Sequence, residues 1–391
     1  MHEDILKLID QDEVLKIVQD MVRIPSINPH GTERDVANYI IRYFESNGIE
    51  TTIQEVFPDR YNVVSRLKGQ GIASSILFTG HMDVVPVSIE ESKKWRTGPF
   101  ASEIQNGFLY GRGSADMKGG LGAAMVAMAT LAKHKVQPPG DIILAATVDE
   151  EDLMRGAKAL IKTSLVSDAT KMVVCEPTNM DIVTACRGRT WAEIVVEGQT
   201  AHASIQGAGV NAIDRAVILM NRMKTYQIPY EKHGLLGDSF WQVTMINGGI
   251  EPAIIPDSCT ITIDGRLVPG QMPEDMWNEM KKMINLIKEK VPNFNVKVNI
   301  IEAREPWEIS NKDDFVKIVA KACKEINLPV KYSGFSGTTD GTIFRRIGIE
   351  GIILGPGELK DNVHKENERV SIRQLVQATQ IYALIMLSWN K

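Results

Sequence analysis

The sequence predicts an α/β fold in which a mixed, mostly parallel sheet flanked by helices is interrupted by a smaller α+β domain. The chain has 391 residues, which is more than a single hydrophobic core usually serves. Helical and strand patterns alternate in its first and last parts, as is typical of a parallel sheet covered on both faces. Between about residues 189 and 301 the order becomes strand-helix-strand-strand-helix-strand, the pattern of a ferredoxin-like sandwich.

The outer parts of the chain supply the elements of the parallel sheet. In the first part, helical patterns and short apolar strands occupy, in chain order, residues 14–24, 33–47, 75–79, 120–134 and 141–148. The same alternation resumes near the end of the chain, with a helix, a strand and a closing helix at 313–326, 351–354 and 371–389. Both ends of the chain thus show the same alternation of helices and strands. This indicates a single domain that is discontinuous in sequence.

The central part supplies the smaller domain. Its predicted strands and helices lie at 191–197, 211–226, 240–246, 258–267, 273–290 and 295–301. We therefore expect one domain made of residues 1–188 and 302–391, interrupted by an inserted domain of residues 189–301.

Charge and composition favour a small-molecule substrate. The net charge is −5, the pI is near 5.9, and the 44 basic residues are scattered, so we expect neither nucleic acid nor a membrane as a partner. The opening residues lack the pattern of a signal peptide, and the longest apolar stretch, 121–132, is too short to span a bilayer. We therefore expect a cytoplasmic protein. The four cysteines are widely spaced and are interpreted as buried thiols.

Acids and histidines are concentrated in five short segments, most of which follow apolar runs. They contain His81 with Asp83, the glycine-rich turn with Asp116, the acidic run 149–152, Glu176, and His364. In open α/β sheets the functional crevice lies outside the carboxyl ends of the strands. Histidine and carboxylate suit zinc, and like charges this close are costly without a cation. Each residue alone could be a turn former, a helix cap or a surface group, but their co-occurrence favours a metal site.

Three of these segments carry a family resemblance. Gly80-His81-Met82-Asp83-Val84-Val85-Pro86, Gly111-Arg112-Gly113 with Asp116-Met117-Lys118-Gly119-Gly120, and Asp149-Glu150-Glu151 match the signature blocks of the M20 metallohydrolases in order and spacing. That family includes acetylornithine deacetylase, succinyl-diaminopimelate desuccinylase, aminoacylase-1 and carboxypeptidase G2. The resemblance, which runs through nearly the whole chain, implies a zinc-hydrolase catalytic domain and an inserted dimerisation or lid domain.

The resemblance also implies roles for particular residues. His81 and Glu176 would hold one zinc ion, Glu151 and His364 the other, and Asp116 would bridge the two. Asp83 would orient His81, and Glu150 would be the general base. Cobalt or manganese could occupy the same nitrogen and oxygen ligands.

Further residues are implied for substrate binding and assembly. In relatives the histidine at the position of His202 reaches the active site of the partner subunit of a homodimer, where it stabilises the oxyanion. Arg266 and the loop of Gly337, Thr338 and Thr339 resemble the family's substrate-binding motifs. The alternatives are an ion pair between Arg266 and Asp264, a helix cap by Asp340, and a monomer with His202 on an exposed turn. Ala253 and Gln206 stand where the family often has asparagine and proline.

The function implied is that of a di-zinc amidohydrolase that removes an acyl group from an N-acyl amino acid. The alternative with the same chemistry is a dipeptidase, aminopeptidase or carboxypeptidase acting on small peptides. An alternative of another class is a metal-free scaffold that only binds ligands. The presence of all five implied metal ligands and of the implied base argues against that scaffold.

Overall fold

The computed structural model describes residues 2–29 and 33–390. The helices in chain order are α1 (His2–Leu8), α2 (Gln11–Arg23), α3 (Arg34–Ser46), α4 (Ile89–Ser92), α5 (Lys118–Lys133), α6 (Arg155–Leu160), α7 (Ala212–Thr225), α8 (Pro273–Lys288), α9 (Asp314–Glu325), α10 (Gly341–Arg345) and α11 (Ile372–Ser388). The strands are β1 (Glu50–Phe57), β2 (Arg60–Leu67), β3 (Ser75–His81), β4 (Glu103–Gln105), β5 (Phe108–Tyr110), β6 (Ile142–Thr147), β7 (Ala169–Val174), β8 (Ile182–Cys186), β9 (Gly188–Glu197), β10 (Phe240–Gly248), β11 (Ser258–Leu267), β12 (Asn295–Arg304), β13 (Trp307–Glu308), β14 (Tyr332–Phe335), β15 (Glu350–Ile353) and β16 (Arg369–Ser371).

The chain divides into two compact units. The first comprises Met1–Thr184, Ile309–Ser333 and Thr339–Lys391, and the second comprises Ala185–Glu308 and Gly334–Thr338. Residues 185–188, 302–308 and 334–338, which the sequence assigns to the catalytic domain, lie in the second unit. The expected domain boundaries stay a prediction. None of the helices within the described residues is long and apolar enough to span a membrane.

The first unit contains a mixed sheet with helices packed on it, which confirms the predicted fold class. Its strand order is β1-β2-β6-β3-β7-β15-β8. The neighbours β6, β3, β7 and β15 run parallel, whereas β2 is antiparallel to both β1 and β6. Every residue of β3 and β6 is buried, as expected for strands covered on both faces. The carboxyl ends of the parallel strands therefore lie at one edge of the sheet.

Helix α5 brings the glycine-rich turn close to that edge. Nearly all of its residues are buried, and it packs against α2 and α11. A Cβ atom on Gly120 would lie 1.8 Å from the carbonyl oxygen of Cys175, and one on Gly119 would lie 2.3 Å from that of Ser114. Only glycine permits such an approach, so the start of α5 packs directly against the backbone that follows β7.

The second unit is an antiparallel sheet with two helices, in the order predicted from the sequence. Its strands are arranged β10-β11-β9-β12. Alternate residues of β9, namely Ala192, Ile194 and Val196, are buried in a core with residues of α7 and α8. Strand β12 continues to Arg304, beyond the predicted end at 301. A bulge between Ile300 and Glu302 interrupts the alternation of side chains there, which explains the early end of the prediction.

Several elements were not expected from the sequence. The hairpin of β1 and β2 is the largest of them, and most residues of β1 are exposed or half-buried. A strand with that exposure has a weak apolar alternation, so periodicity does not identify it. The short elements α4, β4, β5 and β16 lack enough residues to produce a pattern at all.

Candidate metal centre

Most predicted site residues of the first unit lie at or just beyond the ends of three strands, and Asp116 lies just before a helix. His81 is the last residue of β3 and pairs in register with Thr147, the last residue of β6. Glu150 and Glu151 follow β6, and Glu176 follows β7. The parallel register therefore directs these four side chains to the same edge of the sheet.

His81 lies at the centre of the first group of donors. Its Nε2 is 3.1 Å from Oδ1 of Asp116 and 3.6 Å from Oε1 of Glu176. One donor atom each from His81, Glu150 and Glu176 lie within 4.8 Å of one another. All three side chains are buried, with 8% or less of their surface exposed. Glu150 therefore lies among the donors even though the family resemblance makes it a base.

Asp116 connects this group to His364. Its Oδ2 lies 3.2 Å from Nε2 of His364, which is also 3.2 Å from Oε1 of Glu151. Donor atoms of His81, Asp116 and Glu151 form a second group within 4.8 Å. The two oxygens of Asp116 thus face two different histidines, as a carboxylate bridging two ions would. His364 is half-exposed, so this end of the site is the more open one.

The electrostatics of the site fit a divalent cation. Burial raises the pKa of Glu176, and the nearby charge of Asp116 raises it further. Burial also raises the pKa of Glu151, again with a contribution from Asp116. Crowded carboxylates with imidazole nitrogens are a donor set that zinc and similar ions bind, and such an ion would remove the repulsion among the acids. The residues present therefore fit a metal.

Asp83 connects two of the loops that carry these ligands. Nδ1 of His81 lies 2.9 Å from the main-chain oxygen of Asp83 and 3.6 Å from its Oδ1, so the carbonyl is the nearer partner. The carboxylate accepts hydrogen bonds from the main-chain N–H groups of Glu150 (3.2 Å) and Glu151 (3.1 Å). The sequence predicts only that Asp83 orients His81. In the structure the Asp83 carboxylate also holds the loop after β6.

Two polar residues near the site, Asn28 and Asp149, have no individual role predicted from the sequence. Nδ2 of Asn28 donates to Oδ2 of Asp83 (2.9 Å) and lies 3.3 Å from Oδ1 of Asp149. Asp149 has φ of 67° and accepts hydrogen bonds from the Arg155 side chain through both oxygens. Burial opposes its ionisation, but the contacts with Arg155 lower the pKa of Asp149 overall. Asn28 and Asp149 therefore fix Asp83 and the start of the acidic run.

Glu368 is a further residue near the site that the sequence did not identify as functional. It is fully buried, and its carboxylate accepts hydrogen bonds from main-chain groups of the glycine-rich turn that carries Asp116. Within the sequence it was one acid in a polar segment around His364. No spacing rule distinguishes such a residue, because its partners precede it by more than 250 positions.

His202 belongs to the second unit, where it is exposed, pairs with Ile254 in an isolated antiparallel bridge and directly precedes a turn. Its Nδ1 accepts a hydrogen bond from the main-chain N–H of Ser204 (3.3 Å) and lies 2.8 Å from the Ser204 hydroxyl. A nitrogen that accepts from a main-chain N–H carries no proton, so the neutral ring has its proton on Nε2. His202 can therefore act as a hydrogen-bond donor through Nε2.

The predicted substrate-binding residues have definite partners. Arg266 donates through Nε (3.0 Å) and Nη2 (2.9 Å) to Oδ2 of Asp264, which is the ion pair offered as its alternative role. The Thr338 hydroxyl accepts from Nη1 of Arg304 at 3.1 Å. The chain passes from the second unit to the first between Thr338 and Thr339.

The remaining loop contacts bear on the alternative role of Asp340 as a helix cap. The carbonyl oxygen of Gly337 accepts a weak hydrogen bond from the Cys186 thiol, at 3.4 Å. The carboxylate of Asp340 makes no cap hydrogen bond to α10 and instead accepts from the Thr147 hydroxyl at 2.6 Å. The Thr339 hydroxyl accepts a hydrogen bond from the N–H of Gly341 at 3.2 Å.

Comparison with known proteins identifies the family. The sequence model of peptidase family M20/M25/M40 matches residues 77–388. The chain belongs to this family. As an M20 protein it is a metal-dependent hydrolase of amide bonds, and the family implies a divalent metal at the donor groups described above.

Curated relatives of this M20 chain are similar along its length. N-formyl-4-amino-5-aminomethyl-2-methylpyrimidine deformylase of Halalkalibacterium halodurans is 28% identical, covering 99% of this chain and 97% of the relative. A probable succinyl-diaminopimelate desuccinylase of Staphylococcus aureus strain Mu50 is 27% identical, covering 89% and 92%. Both names describe removal of an acyl group.

Solved M20 structures share the fold. Aminopeptidase PepT of Bacillus cereus superposes with a TM-score of 0.81 at 21% identity, covering 98% of this chain and 100% of the other. The metallo-carboxypeptidase Sso-CP2 of Sulfolobus solfataricus gives a TM-score of 0.79 at 20% identity, covering 96% and 99%. Their likeness concerns the fold, because the sequence identity is low.

Proposed function

We propose that the protein is a di-zinc amidohydrolase that removes the acyl group from an N-acyl amino acid. The main support is Asp116, whose two oxygens lie 3.1 Å from Nε2 of His81 and 3.2 Å from Nε2 of His364. A carboxylate with one oxygen near each of two histidines suits a pair of ions. In this proposal His81 and Glu176 hold one ion, and Glu151 and His364 hold the other.

The reaction divides between the ions and the side chains. Zinc held by these residues would lower the pKa of a water molecule and polarise the scissile carbonyl. Glu150 accepts the proton of the attacking water and returns it to the leaving amine, which its buried position among the donors would allow. Asp83 keeps Glu150 in place through the main-chain hydrogen bond.

Two functions are proposed, one for His202 and one for Arg266 with the loop of Gly337, Thr338 and Thr339. His202 donates through Nε2 to the oxyanion of the tetrahedral intermediate, a role supported by the acceptor state of its Nδ1. Arg266, with Gly337, Thr338 and Thr339, binds the carboxylate of the substrate. Arg266 has donor capacity beyond Nε and Nη2, the atoms that contact Asp264.

The second candidate is a peptidase that acts on small peptides with the same centre. Structural neighbours named as aminopeptidase and carboxypeptidase favour it, while the curated relatives named as deformylase and desuccinylase favour deacylation. The deciding experiment measures kcat/KM for the formyl, acetyl and succinyl derivatives of one amino acid beside dipeptides that contain it. Turnover of the acyl derivatives alone supports the deacylase, and turnover of the dipeptides alone supports the peptidase.

Metal dependence is tested separately. Chelation should abolish hydrolysis, and Zn²⁺ or Co²⁺ should restore it, because the nucleophile depends on the metal. Elemental analysis of the active protein should give two ions per chain. Full turnover by a preparation shown to be metal-free would refute the proposed chemistry, and one ion at full activity would refute the binuclear form.

We further propose a homodimer in which His202 acts in the cleft of the partner subunit. The edge strands β10 and β12 of the second unit, with exposed Met245, Ile246 and Ile300, are surfaces suited to pairing. Mixing an inactive His202→Ala protein with an inactive Glu150→Gln protein should restore up to about a quarter of the wild-type activity after random exchange of subunits. Demonstrated exchange without activity would refute the trans role.

The remaining expectations from the sequence are kept as proposals. The inserted domain is proposed to span residues 189–301 and the catalytic domain residues 1–188 and 302–391. A cytoplasmic location is proposed as well, and fractionation of cells that express the protein tests it.

A further inference from the structure

We propose that Glu368 is a positioning residue that holds the loops of Asp116 and His364 in one arrangement, so that both metal sites depend on it. The inference rests on the proposed function, because it takes Asp116 and His364 to be metal ligands. Glu368 follows His364 by four positions and is fully buried, whereas His364 is half-exposed.

One carboxylate oxygen of Glu368 organises the turn that carries Asp116. Oε1 accepts hydrogen bonds from three main-chain N–H groups, those of Gly113 (3.0 Å), Ala115 (3.0 Å) and Asp116 (3.1 Å). The three donors converge on a single atom, so the turn is wrapped around the carboxylate. The main chain of Asp116 therefore cannot shift without breaking a hydrogen bond to a buried acceptor, which is unfavourable.

The other carboxylate oxygen connects Glu368 to a buried cation. Oε2 accepts from Nη1 of Arg112 at 2.7 Å, and only 1% of the Arg112 side chain is exposed. Nη2 of Arg112 donates to Oε1 of Glu91 at 2.6 Å, and the guanidinium lies over the Trp95 ring. A buried arginine with two carboxylate partners has a fixed position, and it fixes Glu368 in turn.

Main-chain contacts tie the His364 loop to the same turn. The N–H of Gly111 donates to the carbonyl oxygen of Glu368 at 2.9 Å, and Arg369 pairs with Tyr110 in the short sheet of β16 and β5. In addition, the side-chain Oδ1 of Asn367 accepts a hydrogen bond from the main-chain N–H of Arg96 at 2.8 Å. The loop that displays His364 is thus anchored at its end to the segment that leads into Asp116.

These contacts make Glu368 a common support for both metal sites. Asp116 faces both His81 and His364, so a displacement of its main chain changes the distances at both ions. Loss of a residue that orients a ligand typically lowers metal affinity about 10–100-fold. We therefore expect a Glu368 variant to weaken the binding of both ions rather than of the one near His364 alone.

The test is a titration of metal-free protein with Co²⁺, followed by the visible absorption of the bound ion and by equilibrium dialysis. Glu368→Gln keeps the size of the side chain but presents an amide donor to Arg112. Glu368→Asp keeps the charge but moves the carboxylate away from Arg112 and the glycine-rich turn, because the side chain is shorter. This variant replaces Glu368→Gln in the titration if Glu368→Gln fails to fold. The matched control is Glu366→Gln, an exposed neighbour on the same loop. Thermal unfolding of the metal-free proteins establishes that each variant is folded.

The expected result is that Glu368→Gln or Glu368→Asp binds Co²⁺ about 10–100-fold more weakly than wild type at both sites, while Glu366→Gln does not. The His364→Ala variant is expected to keep one metal site. In that background the Glu368 substitution should still weaken the binding of Co²⁺ to the remaining site. Folded Glu368 variants with wild-type affinity would overturn the proposal, since a purely structural role changes the unfolding temperature alone. An effect that vanishes in the His364→Ala background would refute the shared support. If wild type itself bound no ion, the proposed function would fail instead.

Discussion

The main-chain N–H of Glu151 donates a hydrogen bond to Oδ2 of Asp83, at a distance of 3.1 Å. The other oxygen of Asp83 accepts from the N–H of Glu150 at 3.2 Å. A residue beyond the end of β3 thereby sets the backbone of the loop after β6. The proposed base and a proposed ligand both depend on a single carboxylate that is entirely buried.

Replacement of Asp83 by asparagine should therefore lower metal affinity about 10–100-fold. The amide presents one acceptor where the carboxylate presents two, so one of the N–H groups of Glu150 and Glu151 faces a donor. Equilibrium dialysis against Zn²⁺ measures the effect. Asp59→Asn, at a largely exposed position, is the control and should bind as wild type does. Equal affinity of the Asp83→Asn protein would show that the loop keeps its place without this carboxylate.

Glu150→Gln should retain both ions and lose about 10²–10⁴-fold in kcat, because the amide preserves the volume of the side chain but cannot accept a proton. The measurement pairs steady-state kinetics with elemental analysis of the same sample. Since Glu150 lies within 4.8 Å of donors from His81 and Glu176, loss of one ion in parallel with activity would instead make it a ligand.

An ion pair far from the metal centre should make stability depend on acid pH. Hydrogen bonds from Arg66 and Ser75 lower the pKa of Asp168 to about 2, below the value of about 3.9 in an unfolded chain. The folded protein thus holds the proton more weakly, so the stabilisation is complete above about pH 4 and is lost as the pH falls toward 2.

Comparison of Asp168→Asn with wild type should reveal this dependence. Because Asp168 is half-exposed, we expect a difference of about 0.2–1 kcal/mol in the free energy of unfolding at pH 6. The difference should shrink steadily between pH 4 and pH 3, and also in 1 M salt at pH 6. Urea unfolding at each pH provides the values. A difference that grows on acidification would contradict the assigned direction of the pKa.

The thiols should be inert in the folded protein. Cys175, Cys186, Cys259 and Cys323 are all buried thiols, and burial raises the pKa of Cys323 to about 12. Since the thiolate is the reactive form, a colorimetric disulfide reagent should titrate no thiol in native protein and four in denaturant. Rapid reaction of any thiol under native conditions would indicate local opening of the core around it.

The sequence predicted the family and the positions of the strand-end acids because each is encoded within a few adjacent residues. It predicted the fold class because helical and strand patterns alternate along the chain. His81 with Asp83, or Asp149 with Glu150 and Glu151, can be identified from short motifs that follow apolar runs. The parallel register of β3 and β6 then accounts for their proximity. The roles of these residues stay predictions.

The supporting residues could not be predicted in this way. Asn28 reaches Asp83 across 55 positions, and Glu368 reaches Gly113 across 255. Their partners are mainly main-chain groups or a buried carboxylate, whose positions depend on the packing of the whole unit. Periodicity also failed where exposure is high, as in β1, and where a bulge breaks the alternation, as in β12.

The division of the first unit along the chain sets the order in which the centre can be assembled during synthesis. His81, Asp116, Glu151 and Glu176 all precede the second unit, whereas His364 and Glu368 follow it. A nascent chain that has just completed the second unit therefore presents the acids without their last histidine and without the carboxylate that supports the turn of Asp116. Because domains fold as their residues leave the ribosome, the second unit can be structured before the metal centre is complete. Synthesis of the residues beyond the second unit is thus the step after which His364 and Glu368 can join the other residues of the proposed metal centre.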